Sequence, residues 1–101
     1  MAYRISEKAV EDLENIWVYT FQNWSLQQAD KYFNLLLNEI EYISENPYKG
    51  KDYSHIKLGY FKAQFKRHFI FYKIDKNGGI VEIIRVLHQQ MDVEENLNER
   101  P

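Results

Sequence analysis

A chain of 101 residues is the length of one domain, and with 45% hydrophobic and 16% aromatic residues it calls for a small core built on large rings. The absence of cysteine excludes disulfides and thiolate metal sites, and no apolar run is long enough for a signal h-region or a membrane span, so a cytoplasmic domain is expected. The net charge of −2 argues against a generic nucleic-acid binder, but the charge is unevenly spread. Residues 1–50 carry eight acidic and four basic residues, whereas residues 56–88 carry seven basic and two acidic ones. An acidic stretch then follows, with Asp92, Glu94, Glu95 and Glu99 outweighing Arg100. Such asymmetry can place a positive face on an acidic protein.

Tyr3 to Ile5 reads as a short strand. Ser6 is a helix N-cap with Glu7 in the first turn, where a negative charge suits the helix dipole. Val10, Leu13, Trp17 and Phe21 recur at helical spacing, with Trp24 extending the stripe, so a helix is predicted over 7–23. Asn23 and Ser25 interrupt it, and Ser25 followed by Gln28 reads as the cap of a second helix. Ala29, Tyr32, Phe33, Leu36, Ile40 and Ile43 form that helix's stripe, and Asn46-Pro47 ends it because the residue before proline avoids the α region. The break is short enough to fold the two helices into an antiparallel hairpin.

Tyr48 to Ser54 is polar and reads as a loop. The period then changes to two. Tyr60 to Phe65 alternates, His68 to Ile74 is an aromatic strand, and Asp75 to Gly79 is a hairpin turn signal. Ile80 to Leu87 is β-branched and apolar on both faces, which suits a central strand. Asp92 with Glu95 caps one terminal turn of helix, Leu97 folds back, and the last residues fray. The predicted class is therefore α+β: a short N-terminal strand, then a helical hairpin packed on one face of a small antiparallel sheet. The other sheet face is left open or covered by a partner.

This order carries four collinear motifs that resemble the ParE branch of the RelE/ParE toxin superfamily. They are S-E-K-A-V-E-D-L-E-N-I-W-V-Y-T from Ser6, I-S-E-N-P-Y-K-G from Ile43, R-H-F-I-F-Y from Arg67, and I-I-R-V-L-H-Q-Q-M-D from Ile83. The resemblance covers nearly the whole chain. It implies the toxin of a type II toxin–antitoxin system, held inactive by a cognate antitoxin of the ParD type or similar. ParE-type members are described as poisoning DNA gyrase by binding it. RelE-type members on the same fold cleave mRNA in the ribosome, and fold alone does not separate the two.

Cleavage of RNA needs a base, an acid and cations converging on one phosphate. The candidate set is Arg67, Arg85 and His88. Strand alternation puts Arg85 on a face with Val81, Ile83 and Leu87, and His88 on the opposite one. The thirteen residues after His88, four of them acidic, would repel a phosphate substrate. Members of the superfamily that cleave RNA usually carry a final His or Tyr close to the chain end. Arg85 reads more readily as a fold-organising cation paired with Asp12, Glu14 or Asp92, and His88 as a strand-end histidine bonded to backbone. The three histidines lack metal-ligand spacing, and no phosphate loop or nucleophile elbow occurs, so neither a metal nor a cofactor is expected.

Ile16, Tyr19, Leu35 and Tyr42 fall off the main helical stripes. With Trp24 at the hairpin turn they are candidates for a hydrophobic groove that receives an antitoxin helix. An acidic hairpin would also attract basic antitoxin side chains. Arg67, His88, Met91 and Asp92 are the candidates for target contact. If the acidic tail binds gyrase, deleting Asp92 to Pro101 should remove toxicity and leave the fold intact.

Overall fold

The computed structural model describes residues 1–98; Glu99, Arg100 and Pro101, with the fraying expected there and part of the acidic tail, lie outside the described residues. Ser6 joins the first strand, β1 (Ala2–Ile5), to the first helix, α1 (Glu7–Asn23). Its N–H donates to the Ile83 carbonyl at 3.0 Å, and its hydroxyl donates to the Ile84 carbonyl at 2.9 Å. The same hydroxyl oxygen accepts the Ala9 N–H at 3.0 Å, which satisfies one of the open donors of the first turn. Ser25 caps α2 (Leu26–Glu45) through the Gln28 N–H, and Asn46 closes that helix onto the Tyr42 and Ile43 carbonyls just before Pro47.

After the loop come β2 (Lys51–Asp52), β3 (Tyr60–Phe65), β4 (His68–Asp75), β5 (Ile80–His88) and a short α3 (Val93–Leu97). The sheet order is β1-β5-β4-β3-β2. β5 is flanked by β1 and β4, as its apolar sequence predicts. Pairing is antiparallel throughout except that β1 runs parallel to β5, so the N-terminal strand makes the sheet a mixed one. The two-residue β2 lies within the segment expected to be plain loop; it exists only because Lys51 and Asp52 pair with Lys62 and Phe61. At the β4–β5 turn the Asp75 carboxylate accepts the Asn77 and Gly78 N–H groups, and Gly79 takes φ +63°, which a side chain would resist.

The helical hairpin covers one sheet face. Ala9 and Leu13 of α1 and Leu36, Ile40 and Ile43 of α2 pack on Ile70, Tyr72, Val81, Ile83 and Val86. The predicted α1 stripe has the right period but is rotated. Val10, Phe21 and Trp24 are exposed, whereas Ala9, Leu13 and Thr20 are buried and Ile16 packs against the core. Small residues allow α1 to approach the sheet closely. Thr20 tolerates burial because its hydroxyl donates to the Ile16 carbonyl at 2.8 Å.

Part of the second sheet face, expected to be open or covered by a partner, is covered by the chain itself. Tyr60, Phe71 and Leu87 form a smaller cluster with Leu97 of α3, flanked by Tyr53, Ile56 and Val93. Deleting Asp92 to Pro101 would strip Leu97 from this cluster, so the deletion is expected to cost stability as well as the tail. A β-bulge corrects the strand parity as well. The β4–β5 register shifts between Phe71 and Tyr72 and leaves Ile84 unpaired. Alternation therefore switches at that point. Val86 and His88 continue the helix-facing row of Val81 and Ile83, while Arg85 leaves it.

Candidate functional site

The bulge places Arg85 beside the N-terminal half of α1, where β5 has run past the end of β1. Its guanidinium lies against Asp12, with Nε to Oδ2 at 2.8 Å and Nη2 to Oδ1 at 2.9 Å. Nη1 donates to the Asn96 carbonyl at 3.1 Å, which ties α3 to the same point. Asp12 Oδ2 also accepts the Val86 N–H at 2.9 Å, so the carboxylate stands in for a missing neighbouring strand. Arg85 is only 8% exposed. This two-pronged, nearly buried pair ties α1, β5 and α3 together at one point. Asp12 was one of three carboxylates that the sequence offered for this role.

His88 pairs with His68 across β4 and β5, and the two rings stand edge to face at 5.3 Å. His68 Nδ1 is bonded to the Tyr32 hydroxyl of α2 at 2.7 Å, and His88 Nδ1 accepts the Gln90 N–H at 3.1 Å. Burial, reinforced by the charge of His88, pushes the His68 imidazole down to about 4. Burial likewise raises the Tyr32 phenol above its ordinary value. A base that weak, bonded to a phenol that holds its proton, is poorly matched to proton transfer near neutral pH.

Arg67 occupies the two-residue β3–β4 turn with Lys66, which adopts φ +54°. It is exposed, and its carbonyl accepts the Gln89 N–H at 2.8 Å. Of the RNase candidates, Arg85 is therefore drawn away into Asp12 and Asn96, while His88 faces His68 and Arg67 sits in the turn beside that strand end. Asp92 is occupied as the N-cap of α3, accepting the Glu95 N–H at 2.9 Å, while Met91 beside it is exposed. Among the described residues no group of three or more His, Asp or Glu is placed to hold a metal ion, and no helix is long and apolar enough to cross a membrane.

The outward side of the hairpin is different in kind. Trp24 is 67% and Tyr19 60% exposed, and their rings touch at a centroid distance of 6.1 Å near the hairpin tip. On the opposite flank Trp17 stacks on Phe21 at 5.4 Å and donates from Nε1 to Asp30 at 2.9 Å, which locks α1 to α2. Tyr42 is exposed on the far side of α2, beneath the Lys49 ammonium, and Leu35 is half-buried. Ile16 is the exception within this candidate set. It packs against the core, because the rotated stripe makes it an inner residue, and is partly buried there.

Comparison with known proteins decides the family. Residues 3–93 match the family model described as the ParE toxin of the type II toxin–antitoxin system parDE. The chain belongs to the ParE toxin family. It is 40% identical over 95 residues to Toxin ParE1 of Caulobacter vibrioides, which spans 94% of this chain and 96% of that one. Toxin ParE1 of Mycobacterium tuberculosis is 38% identical over the same length and share. The structure titled as a chromosomal ParDE TA system from P. aeruginosa superposes with a TM-score of 0.76 at 14% identity, covering 87% of this chain and 95% of that one. That likeness is one of fold. Within the ParE family frame, the residues that sequence reasoning missed are those made by tertiary contact: the Tyr32–His68 bond, the bulge at Ile84, and the anchoring of Arg85 on Asn96. No local signal announces any of them.

Proposed function

We propose that this ParE-family toxin acts by binding DNA gyrase and holding its cleaved-DNA state, with no chemistry of its own, and that a cognate antitoxin of the ParD type or similar neutralises it. The observation that carries the reading is the state of Arg85. A cation drawn into a carboxylate and a backbone carbonyl cannot stabilise a phosphorane. What is left for the target is surface: Arg67, His88 and Met91 lie near one end of the sheet.

For the antitoxin, the exposed pair Tyr19 and Trp24 offers rigid aromatic area at the hairpin tip, with Leu35 and Tyr42 along the outer side of α2. The hairpin is acidic, with eight carboxylates against two lysines over residues 7–45, and so favours a basic partner. Because β2 is only two residues long, the β3 backbone from Ala63 onward has no outer strand, and an extended antitoxin segment can pair there. The cytoplasm is where such a target and antitoxin meet the chain.

The test uses purified components. The chain should block supercoiling by gyrase and leave ribosome-bound message uncut. Added antitoxin should restore supercoiling. Cleaved message with unaffected supercoiling would replace the inhibitor by a RelE-like endonuclease.

A further inference from the structure

We propose that the sheet face carrying Lys51, Lys62 and Lys73 grips the phosphate backbone of duplex DNA. The identity of that DNA in the cell, the segment held by gyrase, rests on the function proposed above; the binding itself does not.

Lys51 and Lys62 are direct register partners across β2 and β3. Like charges directly opposite each other destabilise a sheet, so folding alone does not select this pair. Lys62 faces Phe71 on β4, and Lys73 lies two residues further along that strand, on the same face and diagonal to Lys62. The three ammonium groups therefore form a short row across three strands. Among the described residues none of them makes an ion pair, in a chain with fifteen acidic and thirteen basic residues.

The nearest carboxylates are otherwise engaged or turned away. Glu82, the register partner of Lys73, is held by Arg4 at 3.2 Å. Asp52 alternates to the other face and accepts the Ser54 N–H at 2.8 Å. Glu94 and Glu95 belong to α3, at the β5 end of this face, and pair with none of the three lysines.

Two of the three lysines are nevertheless held in place. Lys62 Nζ sits 4.4 Å from the Phe69 ring centroid and 5.0 Å from that of Tyr53, and Lys73 Nζ lies 5.8 Å from that of Tyr60. Aromatic faces attract and orient an ammonium group without neutralising it. The same arrangement selects the class of ligand. With ammonium groups over them, these ring faces are not open platforms for unpaired bases, and base stacking is what a single strand would use. These rings, Tyr60 buried and Tyr53 and Phe69 half-buried, also supply no protruding apolar anchor for a protein partner. What the row presents is ordered point charge, which suits phosphates regardless of sequence.

The experiment is a salt titration of anisotropy with a short labelled duplex and the full chain, without gyrase. Three phosphate contacts give a slope of about −2.7 in log K against log salt, or roughly a 40-fold loss of affinity between about 50 and 200 mM. K51Q/K62Q/K73Q should lose that slope and bind at least roughly tenfold more weakly at the lower salt. If the triple variant fails to melt cooperatively, K51Q and K73Q, at exposed positions, should each cut the slope by about 0.9. A slope unchanged by the substitutions would overturn the inference. So would binding of polyglutamate or of a single strand as tightly as the duplex. A chain that inhibits gyrase but binds no duplex loses this surface and keeps the gyrase reading. One that binds duplex but leaves gyrase untouched keeps the surface and loses gyrase.

Discussion

The two halves of α1 differ more than any two elements of the fold. Its first half holds Asp12, whose carboxylate meets Arg85 and the Val86 N–H almost out of contact with water. Its last turn and the residue after it expose Tyr19 and Trp24 to solvent with only each other for company. The first arrangement satisfies every polar group and leaves nothing to offer a ligand. The second leaves large apolar rings in water, a cost that a partner would relieve. Charged residues in a toxin-like motif invite a catalytic reading. Here the arginine of that motif is held within the architecture, and under the proposed function recognition falls to the exposed aromatic pair.

This contrast can be broken from either side. The largest expected effect is at the first half. Asp12→Ala would leave a nearly buried guanidinium unpaired and free the Val86 N–H, a loss of about 3–5 kcal/mol, read as a fall of roughly 12 °C or more in Tm. Asp12→Asn, which keeps acceptors for Val86 and part of the guanidinium, should lose visibly less. A melting curve unchanged by Asp12→Ala would remove Arg85 from the architecture and reopen its catalytic role.

At the other end Trp24→Ala should leave the melting curve within about 0.5 kcal/mol of the parent, yet weaken antitoxin binding by about 2 kcal/mol or more, some 30-fold in Kd. Calorimetry with the cognate antitoxin checks it, and equal affinity would move the docking site elsewhere. A third change probes the seam between hairpin and sheet. A Cβ at Gly50 would collide with the Tyr72 hydroxyl, which donates to the Pro47 carbonyl at 2.8 Å. Gly50→Ala should therefore cost about 1–3 kcal/mol in urea unfolding, with the m-value unchanged.

The last effect is a pH dependence. The His68 imidazole titrates lower in the folded chain, near 4, than its ordinary value of 6.5. The folded state therefore prefers the neutral ring. Its contribution is complete above about 6.5, and it is lost as pH falls from there toward 4, where the unfolded chain binds the proton first. His68→Gln should flatten the stability profile in that window. An equally steep decline in the variant would assign the titration to other groups.

Much of the fold was legible because it is written in local chemistry. Ser6, Ser25 and Asn46-Pro47 bound the helices, and Asp75 to Gly79 makes the hairpin turn, each through bonds within a few residues. What was not legible depends on residues distant in sequence. The phase of α1 went wrong because aromatic bulk outweighed Ala9 and Thr20 in the reading, whereas close approach to the sheet selects the small residues. The faces of β5 went wrong at one unpaired residue, Ile84, since a bulge reverses all later parity. Leu97 is expected to fold back, but its burial with Phe71 and Leu87 covers part of a sheet face expected to be open or covered by a partner. As for the site, Asp12 is among the carboxylates that the sequence offers to Arg85, whereas the inward packing of Ile16 depends on the phase of α1.

The claim that this toxin works by occupancy and not by turnover is tested most directly by titrating it against a fixed amount of gyrase and following supercoiling over time. Inhibition should reach an endpoint set by the molar ratio, complete near equivalence and constant thereafter, with antitoxin reversing it. Progressive loss of activity from a trace of the chain, carried to completion by waiting and not reversed by antitoxin, would show a catalyst and contradict the account.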